Sequence, residues 1–80
     1  MLYLEIISPE KLIFNGEIII VQLPGTLGSF EIMKNHAPII STLSKGKIKV
    51  KDTHGVITFY EISGGLVQSS DNKINVLVEK

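Results

Sequence analysis

Turn-forming residues recur along this chain at intervals too short for a helix to become established, and the segments between them are rich in isoleucine, leucine and valine. Segments of that length bounded by Gly, Pro, Asn, Asp and Ser read as strands, and no run of 3.6-residue periodicity competes with them. The chain is therefore expected to be all-β. In "LYLEII" Leu2, Leu4 and Ile6 share one face, and Ser8-Pro9 stops the strand because proline lacks the ladder donor. "LIF" ends at Asn15-Gly16, a favoured hairpin dipeptide since both residues tolerate positive φ. "EIIIVQL" is apolar in both phases of the alternation, which predicts a central strand covered on two sides and ended by Pro24-Gly25.

The same reading continues to the last residue. "GSFEIM" leads into a turn over Asn35 to Pro38, "IISTL" follows, and Lys45-Gly46 turns the chain again. In "KIKVK" Ile48 and Val50 point inward while Lys47, Lys49 and Lys51 form a solvated row. "DTHG" turns into "VITFYEI", Gly64-Gly65 marks a bulge or close backbone approach, and "SSDNK" separates "LVQ" from "INVLVE". Eighty residues allow a single domain, 1–80, that buries roughly 60% of its unfolded surface. Two small sheets packed face to face, or a flattened barrel, is the architecture these short strands predict.

Eight basic residues balance eight acidic ones, so the basic excess typical of a nucleic-acid binder is missing. Without cysteine there are no disulfides and no thiolate chemistry, which fits a reducing compartment. Glu5 and Pro9 interrupt the N-terminal apolar stretch that a secretory signal would need, and the run Ile18 to Val21 is far short of the ~20 apolar residues of a membrane-spanning helix. No direct membrane insertion is expected.

"PGTLGSFE" lacks the lysine ending and the helix of a phosphate-binding loop, and no G-x-S-x-G elbow occurs. His36 and His54 are not spaced to share a metal, and no cofactor is expected. His54 in "DTHG" needs only turn geometry. His36, ahead of Ala37-Pro38, can brace the bend through local backbone, or act in a small hydrolase if a pocket and an orienting group accompany it. Lys34 in "EIMKN" carries a rival reading as the acceptor of a biotin-carrier β-domain, although Asn35 stands where such a domain has its second methionine.

Taken together, "EIISPEKLIFNGE", "VQLPGTLGSFEIMKNHAPIIS", "LSKGKIKV", "YEISGGLVQ" and "NKINVLVE" resemble, in family order and over essentially all 80 residues, the N-terminal domain of the epsilon subunit of bacterial F-type ATP synthase. That resemblance implies a β-sandwich that is not an enzyme by itself. It would be a rotor subunit of the central stalk, monomeric within a hetero-oligomeric, proton-translocating complex at the cytoplasmic face of the bacterial inner membrane. It further implies that Ser8, His36 and Ser41 face the gamma subunit, and that Thr26, Leu27, Gly28, Ser29, Phe30 and Glu31 meet the c-subunit ring. Relatives often carry an acidic residue in that loop, whereas "GTLGSF" has none before Glu31. Relatives commonly continue into a C-terminal helical hairpin, and "NKINVLVEK" ends where the sandwich is expected to end.

Overall fold

The computed structural model describes residues 1–79. Its elements are strands: β1 (Leu2–Ile7), β2 (Leu12–Gly25), β3 (Gly28–Met33), β4 (Ile39–Leu43), β5 (Gly46–Asp52), β6 (Ile57–Ile62), β7 (Gly64–Ser70) and β8 (Lys73–Glu79). The pairing order is β1-β8-β7-β4-β2-β5-β6, with β3 and β1 also on β2. All pairs are antiparallel except β1–β8.

Strand β2 is the element the rest is hung on. Its first half pairs with β1 from Leu12 to Ile18, in a layer continued by β8, β7 and β4. Its second half lies between β3 and β5, in a layer that ends at β6. The two layers close on a core of Leu2, Leu4, Ile6, Ile18, Val21, Leu23, Ile32, Leu43, Ile48, Val50, Ile62, Val67, Ile74, Val76 and Val78, all buried. Every strand contributes the alternate side chains that a one-sided sheet must bury.

Two turn expectations are corrected. Asn15-Gly16 is not a hairpin: both residues lie inside β2, Asn15 opposite Glu5 and Gly16 opposite Leu4. The reason is that β1 already supplies the partner for Leu12 to Ile18, and Gly16 takes a φ of +156° that suits glycine without turning the chain. Pro24-Gly25 likewise stays in the strand, opposite Ser29 and Gly28, and the reversal falls on Thr26 and Leu27. Pro24 has no N–H to offer there, but its carbonyl accepts from the Ser44 N–H at 2.7 Å.

The central strand is covered on one side only. Ile18, Val21 and Leu23 are buried, whereas Ile19 is 47% exposed. A register shift between Ile18 and Ile20 inserts one extra residue and changes the phase of the alternation, so the apolar residues in both phases mark a bulge and not two-sided burial. The turn expected over "SSDNK" narrows to Asp71-Asn72, since Ser69 and Ser70 extend β7 and Lys73 opens β8. Ser8 follows the end of β1, Asp52 ends β5 at a turn with Gly55 at φ +81°, and Asp71-Asn72 reverse the chain at φ +52° and +62°. Gly65 is the close backbone approach, since a Cβ there would collide with the Leu77 carbonyl.

Candidate functional site

The segment from Thr26 to Leu43 leaves one end of the sandwich, turns at the other and comes back. At the first end β2 and β3 are joined by Thr26-Leu27, with Gly28 at φ +133° completing the reversal. The tip is stitched to β4: the Thr26 N–H donates to the Thr42 carbonyl at 3.1 Å, and the two threonine hydroxyls are 2.9 Å apart. The Ser44 hydroxyl adds a bond to the Pro24 carbonyl at 3.2 Å. Behind the tip, Gly25 is buried against the Phe30 ring, and a Cβ on it would lie 2.8 Å from that ring and 2.7 Å from the Gly28 carbonyl. Leu27, by contrast, is wholly exposed.

Of the six residues expected to meet a ring, Thr26, Leu27, Gly28 and Ser29 are exposed along this tip. Ser29 accepts a bond from the Gln22 amide at 3.1 Å. Phe30 turns inward and packs against the core. Glu31 stands on the outer face of the β3-β2-β5-β6 layer, in a shallow groove shared with Ile20, Gln22, Lys49, Lys51 and Ile57. The lysine row lies on that face as expected, with the stems of Lys49 and Lys51 half-buried along it.

At the opposite end, Lys34 to Pro38 form an exposed turn. The His36 N–H donates to the Met33 carbonyl at 3.2 Å, and the His36 ring donates from Nδ1 to the Ala37 carbonyl at 2.7 Å. A carbonyl only accepts, so Nδ1 carries the hydrogen of this bond. This is the bracing role anticipated for His36. Asn35, at φ +66°, is held by Asn72 from the β7–β8 turn: its N–H donates to Asn72 Oδ1 at 2.6 Å, and Asn72 Nδ2 donates back to Asn35 Oδ1 at 3.3 Å.

Ser8, His36 and Ser41 are not brought into contact. They lie on three margins of the layer β4-β7-β8-β1. Ser41 belongs to β4 and Ser8 follows β1, three strand spacings or about 14 Å away across the ladder. His36 sits beyond the starts of β4 and β8, at the other end from Ser8. Ser8 is 4% exposed and its hydroxyl is spent locally, accepting from the Lys11 N–H and donating to the Lys11 carbonyl, each at 3.2 Å. Ser41 is half-buried and donates to the Thr42 carbonyl at 3.1 Å.

The outer face of the same layer carries a feature that was not read from the sequence. The cross-strand register aligns Thr42, Leu66, Leu77, Ile7 and Leu12 in one row on the outer face of this layer. Ile40 stands beside the row. Ile40 is 70% exposed, Leu77 55%, Leu12 49% and Leu66 38%, so the row is an apolar strip open to solvent. Its signal was present in "IISTL", "GGLVQ" and "INVLVE", where an apolar residue occupies the phase opposite to the buried ones. Short apolar runs hide such residues, because the same letters serve a core strand.

A cleft of about 780 Å³ is lined by residues that include Ile13, Lys47, Phe59, Tyr60 and Ser63, and neither it nor the groove at Glu31 includes His36. Among the described residues no three His, Asp or Glu side chains gather to hold a metal ion, and no helix is long and apolar enough to cross a membrane.

Comparison with known proteins adds to this geometry. Residues 1–80 match the family described as "ATP synthase, Delta/Epsilon chain, beta-sandwich domain". The ATP synthase epsilon chain of Chlorobium limicola is 40% identical over 76 residues, which is 95% of this chain and 86% of the relative. That of Caulobacter vibrioides is 38% identical over 79 residues, covering 98% and 90%. Among solved structures, a chain of the Euglena gracilis mitochondrial ATP synthase OSCP/F1/c-ring assembly superposes with a TM-score of 0.92 at 18% identity, over 99% of this chain and 51% of that one. At that identity the superposition speaks for the fold alone.

Proposed function

Because this chain belongs to the family of ATP synthase delta/epsilon-chain β-sandwich domains, we propose that it is a non-catalytic component of the rotor of an ion-translocating ATP synthase. It binds the gamma subunit through the outer face of the β4-β7-β8-β1 layer and touches the c-subunit ring with the Thr26-Leu27 tip. Its place is peripheral, at the cytoplasmic face of the bacterial inner membrane, and its work is mechanical coupling of ring rotation to gamma. The coupled ion in this reading is the proton.

The observation that carries the proposal is the open apolar strip of Leu12, Ile7, Leu77 and Leu66, which crosses the outer face of this layer near Ser8, with His36 at the opposite end of the same layer. Burying such a strip under a partner stabilises the complex by roughly 25 cal/mol per Å² of apolar surface covered, before the costs of association. The three margin residues then act mostly through shape, since Ser8 and Ser41 already spend their hydroxyls within the chain. At the tip, Leu27 supplies an apolar contact in place of the acidic one common among relatives. Exposed ion pairs contribute only about 0–1 kcal/mol, so that exchange is energetically reasonable.

The carrier alternative at Lys34 gains no support from the family to which the chain belongs. The deciding experiment is size-exclusion chromatography of the chain with the gamma subunit of its own organism, with intact mass recorded on the same sample. Co-elution at unmodified mass is expected. Separate elution, or added mass on Lys34, overturns the rotor reading.

A further inference from the structure

The turn that carries His36 is held by a side chain thirty-seven residues away in sequence. Asn72 accepts from the Asn35 N–H at 2.6 Å and returns a bond from Nδ2 to Asn35 Oδ1 at 3.3 Å. It is itself fixed, because its carbonyl accepts the Tyr3 N–H at 2.9 Å, which ties the β7–β8 turn to the start of β1. Both asparagines have left-handed backbones, φ +66° and +62°, a conformation that Asn tolerates better than other residues bearing a Cβ. The amide pair therefore joins two irregular turns into one unit anchored on regular strands.

We propose that Asn72 is a positioning residue for gamma docking: it selects the one conformation of the Asn35 to Pro38 turn that presents His36 to the partner. This rests on the reading of His36 as a gamma-facing residue. The pair is exposed, and water would satisfy both amides if it opened, so its net effect on folding is small. Its effect on binding is larger in kind. A partner that accepts a single turn geometry binds with an apparent affinity reduced by the fraction of molecules in that geometry, so a turn released to populate it one time in ten loses about tenfold. Asn72 is half-buried, and both polar atoms of its amide point to Asn35, so it acts through the turn.

The chemistry of the pair supplies a rescue test. Asn72→Asp keeps an acceptor for the Asn35 N–H, and the Asn35 amide turns over to donate its Nδ2 to the second carboxylate oxygen, so this variant keeps both bonds of the pair. Affinity for purified gamma is measured calorimetrically at 20 °C on the full chain, with circular dichroism confirming the fold of each variant and amide hydrogen exchange followed at residue 35.

Asn72→Gly, which permits the same φ, is expected to weaken gamma binding five- to tenfold and to speed exchange at the Asn35 amide. Asn72→Asp is expected to bind within twofold of the unaltered chain, because the pair is kept. A role in folding alone would instead leave binding unchanged in every variant that circular dichroism shows folded. Binding by Asn72→Gly within twofold of the unaltered chain overturns the inference, as does a loss with Asn72→Asp as large as with Asn72→Gly, or unchanged exchange at residue 35. Failure of the unaltered chain to bind gamma removes the docking reading itself, and this inference with it.

Discussion

The two ends of the Thr26–Leu43 segment solve the same problem in opposite ways. At the tip, Thr26 is bonded to Thr42 and Pro24 to Ser44, both ahead of Leu27, which itself stands in solvent with nothing against it. At the far turn the bonds are made to the exposed residues themselves, Asn35 and His36, which remain polar and accessible. An end of the first kind offers a fixed apolar point that any complementary surface can cover. An end of the second kind offers directed donors and acceptors, which discriminate by geometry because a mismatched partner leaves them unpaired.

The sharpest way to break this contrast is to destroy one end sterically. Gly25→Ala places a methyl against the Phe30 ring and the Gly28 carbonyl, and a loss of about 2–3 kcal/mol is expected in urea denaturation. An unchanged midpoint would mean that the tip yields. Next in size is Asn35→Ala, which forces a Cβ-bearing residue without a side-chain amide into φ +66° and should lower stability by about 1–2 kcal/mol, read from the same titration. Thr42→Val removes the hydroxyl contact with Thr26 and leaves the backbone bond, for about 0.5–1 kcal/mol. Leu27→Ser should leave stability within about 0.5 kcal/mol while reducing retention on immobilised c-ring, since its side chain touches nothing within the chain. If retention is unchanged, the ring contact lies elsewhere and the tip is only a turn.

The fold class was legible because strand alternation is a local signal. Leu2, Leu4 and Ile6, or Ile48 and Val50, declare their face within one strand. Asn15-Gly16 misled because a dipeptide reports what its backbone tolerates, while the ladder with β1 decides what it does. The apolar triplet Ile18 to Ile20 misled for a related reason: a one-residue bulge and two-sided burial give the same letters. His36 was read correctly as a brace, since its partner is the next residue. The Asn35–Asn72 pair and the Leu12 to Leu66 strip were not read, because each depends on register between strands far apart in sequence, and no single segment contains it.

Strand β2 has a consequence for load. A push or pull at Leu27 enters a strand that is common to both layers, and it is directed along β2 toward Leu12. Force along a strand stretches all its cross-strand hydrogen bonds together in shear, whereas force across a strand peels them one after another. The fourteen residues of β2 thus work as a tie rod through the domain.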